Sequence, residues 1–541
     1  MGRDRPRLAK FGGRAIVGGI PALFLAAFFA YPLATILWYG LGTQGLAPLA
    51  DLFGSPRNRG VVWFTITQAL ASTMLTLLVA LPAAALVSRL QGRWKYWLRG
   101  LVTIPFVLPT VVVAGAFEGL FVRFGLDQGS FRLRHTVWAI LIAHVFFNYA
   151  VVVRIVGSFW AGLDQQLEEQ ARVLGAGPLQ TFRTVTLPRL RPAIASAAAI
   201  VFLFSFTSFG VILLLGGHRN PTIETEIFRQ AINRSDFPMA AGWALVQVTF
   251  VVLILAATNV IERRRPAPTG VFTRATKALP KTFVGFNVVL MAALLGAPIV
   301  LLVERSFAVG GTYGFDHYRG LTERVAQLPV SPTTALTNSL VYAVVATAIA
   351  LVVGSLAAFL AVHGRTELRR VFDLGLTLPL GTSAVTIGLG ILLAFAAPPL
   401  DLRTSWWIIP IAHALIGVPF VLRTMVPVLR RIDPQLREAA AVLGASPSRV
   451  RRVIDLPIAS RALLVGAGFA FAVSIGEFGA TSFLPRRPEN MTAPLALFRL
   501  LSTPGELLRG QAMALAVLLM VIVAVAVVTI EAARGKQEDF L

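Results

Sequence analysis

Long apolar runs dominate the 541-residue chain, and polar residues gather in the short stretches between them. A bilayer core about 30 Å thick is crossed by a helix of about 20 apolar residues. Twelve runs meet that length, at about 15–41, 61–88, 101–122, 136–157, 193–217, 239–261, 281–303, 336–362, 371–397, 405–427, 461–484 and 511–530. The pattern therefore predicts an all-α polytopic membrane protein with about twelve transmembrane helices.

The second six runs repeat the first six. At an offset of 269 residues, the stretch 164–188 aligns with 433–457 without a gap, and SFTSFG at 205–210 aligns with SIGEFG at 474–479. An even number of spans in each repeat places both halves the same way up in the membrane, with a site expected between them. We predict a first transmembrane domain over 1–265, a cytoplasmic linker over 266–280 and a second transmembrane domain over 281–541.

Composition supports this interpretation and removes several function classes. Charged residues make up 14% of the chain, against about 25% in soluble proteins. The chain has no cysteine and six histidines, which excludes disulfides, thiolate metal sites and cysteine nucleophiles, and we expect no metal site. A membrane enzyme would show clustered acidic, basic or metal-binding residues in several spans, whereas this chain shows isolated ones.

Basic residues set the expected orientation. They precede the first span at Arg3, Arg5, Arg7, Lys10 and Arg14, and they lie between the sixth and seventh at Arg263, Arg264, Arg265, Arg274, Lys277 and Lys281. Because Lys and Arg concentrate in cytoplasmic loops, this face is predicted to be cytoplasmic, with both termini on it. We interpret the clusters as topological anchors at the lipid bilayer and expect no nucleic-acid partner.

The most informative feature is a polar loop that occurs once in each repeat. Both copies follow D-x-Q-L-x-E-x-A-x-V-L-G-A-x-P, then eight residues, then Leu-Pro. Asp164 and Asp433 are suited to begin a short helix as N-caps, and Gly175 and Gly444 are suited to end it. A basic helix lying on anionic lipid is the alternative, but lipid binding does not require a fixed Glu, Gly and Leu-Pro spacing in two copies.

This repeated loop resembles the EAA loop of ABC-transporter permeases, which docks on the cytoplasmic ATPase. Gln170 departs from the pattern, because an Ala usually stands there. The resemblance implies a binding-protein-dependent importer permease in the bacterial inner membrane, with two fused six-helix domains of the type I kind. It also implies ATPase-coupling roles for Asp164, Glu169, Ala171, Gly175, Leu187, Pro188, Asp433, Glu438, Ala440, Gly444, Leu456 and Pro457.

The same resemblance implies partners. Two copies of an ABC ATPase subunit would bind the loops, and an extracytoplasmic solute-binding protein would deliver the substrate. The sequence contains no G-x-x-x-x-G-K-[ST] phosphate-binding loop. The chain is therefore predicted to be a permease subunit and not an enzyme. It would carry no cofactor of its own, and ATP and Mg would be bound by the partner.

The substrate is suggested by short motifs in and after the fourth and fifth spans. HVFFN at 144–148 and PTIE at 221–224 resemble the thiamine permeases of this family, which implies transport of thiamine or a thiamine phosphate. The Glu-Phe-Gly part of the second repeat also resembles iron(III), sulfate and molybdate permeases, which stay as alternatives. A twelve-span secondary transporter would share the hydropathy and the repeat, but it has no reason to repeat a docking loop.

Five residues near the repeated SFxxFG segments are candidates for the substrate pathway. Glu477 is an acid inside an apolar span, a position that usually faces a cavity or a partner. Its repeat equivalent is Ser208, so the pseudo-symmetry is broken there. Phe206, Phe209 and Phe478 offer ring faces to a cationic heterocycle. The alternative is helix packing, with Glu477 hydrogen-bonded to a neighbouring helix, and His144 and His413 are best interpreted as interhelical hydrogen-bonding residues.

Overall fold

In a computed structural model, the protein is described over residues 18–538, apart from 43–44, 46, 90–101, 103–104, 130–131, 165, 264–279, 364–381, 397–400 and 485–486. Most described residues are helical. The basic residues before the first span and most of the predicted linker 266–280 lie outside these ranges, so the predicted domain boundaries stay predictions.

The first repeat consists of nine described helices. They are α1 Gly18–Gly42, α2 Ala47–Gly54, α3 Pro56–Arg89, α4 Thr110–Arg123, α5 Val137–Ala161, α6 Gln166–Val173, α7 Pro178–Phe206, α8 Ile223–Phe228 and α9 Phe237–Arg263. Single π-helical turns follow α7 at Ile212–Gly216 and α8 at Arg229–Asn233.

The second repeat has the same order, with an added hairpin. Its helices are α10 Lys281–Phe307, α11 Asp316–Arg319, α12 Pro332–His363, α13 Ala384–Ala394, α14 Ile408–Arg431, α15 Pro434–Val442, α16 Pro447–Ile475, α17 Ala493–Ser502 and α18 Glu506–Glu538. Strands β1 Ala308–Val309 and β2 Thr312–Tyr313 pair antiparallel after α10.

Ten helices in the described part of the chain are long and apolar enough to cross a membrane. They occupy ten of the twelve predicted runs, and the all-α fold with two repeats is confirmed. The other two runs, 101–122 and 371–397, appear as the shorter apolar helices α4 and α13. Each of these begins after a segment outside the described residues, and Pro109 directly precedes α4.

The first helix of each repeat packs against the other repeat. In α1, Phe24 and Phe29 belong to a buried cluster otherwise built from residues of the second repeat. The Tyr31 hydroxyl donates to the carbonyl of Ala394 at 3.3 Å. In the opposite direction, α10 packs against α4 of the first repeat. The two repeats therefore share their cores and form an interlocked pair.

Small residues allow the central helices of each repeat to approach closely. A Cβ atom at Gly157 of α5 would lie 3.3 Å from the Ala84 carbonyl oxygen of α3, and one at Gly354 of α12 would lie 2.8 Å from Val421 Cβ of α14. Small residues at helix contacts are the usual basis of packing in a membrane, where burial of apolar surface contributes little. This packing fixes the positions from which the polar loops and α7 and α16 emerge.

Candidate functional site

The two polar loops form the short helices α6 and α15, and both begin as the sequence predicts. Asp164 Oδ1 accepts a hydrogen bond from the Gln166 amide, and Asp433 Oδ1 accepts one from the Gln435 amide, each at 2.9 Å. Pro434 occupies the first turn of α15. A carboxylate at this place satisfies amide groups that have no partner inside the helix, so the capping arises from the local sequence.

Both loop helices end at a glycine in the left-handed region. Gly175 has φ of +89° and Gly444 has φ of +79°. Directly before them, the pairs Val173-Leu174 and Val442-Leu443 are 85–87% exposed. Two adjacent apolar side chains left open at the end of the same short helix in both repeats are typical of a surface that binds another protein.

The other predicted coupling residues surround these helices. Ala171 and Ala440 are half-buried, whereas Glu169 and Glu438 are exposed. Leu187 and Pro188 are half-buried at the start of a regular α-helical segment of α7, and Leu456 and Pro457 are exposed at the equivalent place in α16. These four follow single π-helical turns at Phe182–Thr186 and Arg451–Asp455.

Side chains also tie each loop helix to the span that follows it. In the first repeat, Thr186 Oγ1 donates to Glu168 Oε1 at 2.7 Å, and Arg89 Nη2 of α3 lies 3.3 Å from Glu168 Oε2. In the second repeat, Arg437 Nε donates to Asp455 Oδ1 at 2.8 Å. The resemblance gave these residues no role, although comparison of the two loops shows that Glu168 aligns with Arg437 and Thr186 with Asp455.

At the far end of α7 and α16 the two repeats meet through aromatic rings. Phe209 and Phe478 are stacked, with centroids 5.4 Å apart and planes 18° from parallel. Phe209 also contacts Phe228, and Phe478 contacts Phe498, at centroid distances of 5.4 and 5.3 Å. A helix rises 1.5 Å per residue, so this pair lies about 30 Å along α7 from Leu187. The result is a closed row of four rings across the boundary between the repeats.

The remaining pathway candidates do not join that row. Phe206 is fully buried within the first repeat, where it contacts Phe202 and Phe250. Ser208 is half-buried in the short non-helical segment that follows α7. The structure thus brings Phe209 and Phe478 together and leaves Phe206 and Ser208 outside their contact.

The carboxylate of Glu477 is bound by residues of its own repeat. It accepts hydrogen bonds from the amides of Ala480 and Thr481, at 2.7 and 2.9 Å, and from the Thr481 hydroxyl at 2.5 Å. His413 Nε2 lies 3.3 Å from Glu477 Oε2. Both oxygens therefore have partners, as in the helix-packing alternative considered from the sequence.

The two histidines make the interhelical contacts expected of them. His144 Nδ1 lies 2.9 Å from Ser72 Oγ of α3, and His413 Nδ1 lies 2.8 Å from Ser474 Oγ of α16. In the described part of the chain, no three His, Asp or Glu residues are placed to hold a metal ion together.

A second buried acid, which the sequence marks only as the last residue of the PTIE motif, connects the repeats. Glu224 in α8 accepts hydrogen bonds from Gln247 Nε2 of α9 at 2.8 Å and from Ser383 Oγ of the second repeat at 3.0 Å. Ser383 is in turn the N-cap of α13. Buried polar groups with neutral partners hold helices in a fixed arrangement, so Glu224 positions α8 against the second repeat.

Comparison with known proteins identifies the kind of molecule that this architecture belongs to. The family described as binding-protein-dependent transport system inner membrane component matches residues 76–265 and 350–534. The thiamine transport system permease protein of Brucella abortus is 28% identical over 99% of this chain and 98% of its own length. The corresponding Haemophilus influenzae protein is 24% identical over 60% of this chain and 63% of its own.

Shorter relatives match part of the chain. The sulfate transport system permease protein of Salmonella typhimurium is 28% identical over 46% of this chain and 91% of its own length. The family match occurs twice, once in each repeat, and covers more than half of the residues. The chain therefore belongs to the family of binding-protein-dependent transport system inner membrane components, and it is a permease with two such domains fused in one multi-pass polypeptide.

Proposed function

We propose that this protein is the permease of an ABC importer that carries thiamine or a thiamine phosphate into the cytoplasm. The observation that carries this proposal is the similarity, over essentially the whole fused chain, to a permease named for thiamine transport. An extracytoplasmic binding protein delivers the substrate. Two copies of a separate ATPase, which bind ATP and Mg, supply the energy.

The exposed apolar pairs on α6 and α15 support the ATPase assignment. Val173-Leu174 and Val442-Leu443 stand in open positions beside the left-handed glycines. Each loop helix inserts into one ATPase subunit, so two loops require two copies. Asp164 and Asp433 shape the helix start, Gly175 and Gly444 shape its end, and the remaining coupling residues form the surface around them. This face is cytoplasmic, with both termini on it.

The row of rings supports a place for the gate. Phe209 and Phe478 lie at the ends of α7 and α16 opposite the loops, and their stacking closes the boundary between the repeats. The pathway is therefore shut on the extracytoplasmic side in this conformation. When the repeats separate, the ring faces become available to the thiazolium cation of thiamine, at about 0.5–2 kcal/mol for each ring.

Reconstituted transport tests the assignment. The permease, its ATPase and the binding protein encoded beside it are placed in proteoliposomes, and ATP-dependent uptake of labelled thiamine is measured with ferric iron, sulfate and molybdate as competitors. We expect uptake of labelled thiamine, and we expect unlabelled thiamine to be the only competitor that suppresses it. If the binding protein instead binds an anion or ferric iron tightly and no thiamine is taken up, that ion would replace thiamine as the proposed substrate. The permease assignment would still stand.

A further inference from the structure

The contact between each loop helix and the following span occurs at the same two positions in both repeats, but its chemistry is reversed. In the first repeat, the loop residue is the acid Glu168 and the span residue is the hydroxyl-bearing Thr186. In the second, the loop residue is the base Arg437 and the span residue is the acid Asp455. The geometry is kept although no residue of the pair is shared.

The span residue of each contact is buried. Thr186 and Asp455 are 2% and 6% exposed, and each is the last residue of a π-helical turn. Insertions of this kind often mark functional sites in helices. A polar group in so buried a place is costly unless its partner is present. The span residue therefore depends on the loop residue for its hydrogen bond.

Each contact also reaches another helix of its own repeat. Glu168 receives Arg89 from the end of α3, and Arg437 Nη2 donates to the Leu429 carbonyl near the end of α14 at 3.5 Å. The loop helix is thus held at both sides by its own repeat. Displacement of α6 or α15 must be passed to the bases of these helices or must break the contact.

We propose that these two contacts, which we call the loop braces, are positioning elements that transmit displacement of α6 to α7 and of α15 to α16. The inference rests on the proposed function, because it assumes that the ATPase moves the loops. α7 and α16 run without interruption in the described chain from the braces to the segments that carry Phe209 and Phe478. Movement at a brace is therefore carried over the thickness of the membrane to the row of rings.

Because the chemistry is reversed, the brace residue of one loop does not fit the span residue of the other repeat. A loop with Glu at the brace position meets a hydroxyl in the first repeat, but in the second repeat it would meet the carboxylate of Asp455. Two carboxylates at that distance repel each other. Arg437→Glu is therefore predicted to break the second brace, and adding Asp455→Thr rebuilds it with the pair found in the first repeat.

The chain lacks cysteine, so one introduced cysteine reports on the brace without interference. Ala441→Cys, on the exposed surface of α15, is spin-labelled in the purified permease without its ATPase. We expect a mobile label in Arg437→Glu, and a label as immobile as in the parent protein in Arg437→Glu with Asp455→Thr. Arg452→Glu is the matched control, because it makes the same charge change at an exposed position in the π-helical turn that ends at Asp455.

The complete transporter provides the second measurement. We expect Arg437→Glu to lower the number of substrate molecules transported per ATP hydrolysed by about tenfold, since a hydrogen bond to a charged group is lost. The double variant should recover most of that loss. An immobile label in Arg437→Glu, or a double variant no better than the single one, would overturn the proposal. Failure of the parent protein to transport thiamine, with the label results as expected, would instead count against the substrate alone.

Discussion

Phe209 and Phe478 occupy equivalent positions 269 residues apart, and their nearly parallel rings stack where the two repeats meet. The internal symmetry of the chain thus places one ring from each repeat on the same boundary. Each ring is supported from behind by a further phenylalanine of its own repeat, Phe228 or Phe498. If the proposed gate lies here, opening it requires these two rings to part.

Removing either ring is expected to make the membrane leaky to substrate. Phe209→Ala or Phe478→Ala removes about 1 kcal/mol of ring stacking, which shifts the balance towards the open arrangement by about fivefold. Passive efflux of thiamine from loaded proteoliposomes without ATP measures this. Phe206→Ala is the matched control, because Phe206 is equally buried but contacts only rings of its own repeat. Equal efflux from all three variants would argue against a gate at this position.

Bulky substitution of the loop glycines is expected to block ATPase docking. In Gly175→Leu or Gly444→Leu the new residue must adopt a backbone φ near +80° to +90°. This conformation costs about 1–2 kcal/mol at each position, so the end of the loop helix rearranges. Co-purification of the ATPase should fall while the amount of inserted permease stays unchanged. Gly177→Leu serves as control, since Gly177 has φ of −66° and a Cβ atom there would meet nothing within 4 Å. Normal ATPase recovery from the variant with both loop glycines replaced would refute the idea.

Glu477→Gln is expected to lower transport and ATPase stimulation in parallel. Because both carboxylate oxygens accept hydrogen bonds from residues of the same repeat, the amide nitrogen of Gln would face donors and the turn after α16 would loosen. An unsatisfied buried group costs about 1–3 kcal/mol. The two activities are measured in the same proteoliposomes. A selective loss of thiamine transport, with stimulated hydrolysis intact, would return Glu477 to the substrate pathway.

Acid is expected to destabilise the loop that contains His135. Burial lowers the pKa of His135 below its ordinary value, and Arg134, Arg132 and His218 add to the effect. The unfolded chain binds this proton near pH 6.5 and the folded chain binds it only at a lower pH, so the contribution of His135 to stability is complete above pH 6.5 and is lost as the pH falls below it.

The melting temperature of the purified permease between about pH 7.5 and 5.5 measures this contribution. His135→Asn tolerates the backbone at φ of +60° and removes the titrating ring. The variant should show a smaller decline in melting temperature over this range than the parent protein. A decline of unchanged size would assign the pH dependence to other groups.

Local features of the fold could be predicted from the sequence, because their causes are local. The N-caps at Asp164 and Asp433 and the left-handed Gly175 and Gly444 follow from residue types at fixed spacing. Hydropathy located the ten long spans, whereas the runs 101–122 and 371–397 lie partly outside the described residues, so their full lengths stay predictions. Hydropathy averages over a window and does not register a helix start set by Pro109 or Ser383.

Contacts between residues far apart in the chain could not be predicted from the sequence. Phe209 and Phe478 could be proposed as pathway residues, but their stacking depends on how the repeats pack. The loop braces left a trace, since Glu168 aligns with Arg437 and Thr186 with Asp455. This alignment becomes informative only once the structure shows that the loop helix contacts the base of the span that follows it. The exchange of first helices between the repeats left no trace that hydropathy or spacing could detect.

This exchange has a consequence for how the protein is made. The bond from Tyr31 to Ala394 joins residues 363 positions apart, and at about 5–20 residues per second the ribosome needs roughly 20–70 s to synthesise that stretch. During this time α1 is in the membrane without the second-repeat helices that it packs against. The first repeat therefore cannot reach its final packing before the second is inserted. Two halves produced as separate polypeptides would have to find each other while each still lacks part of its core.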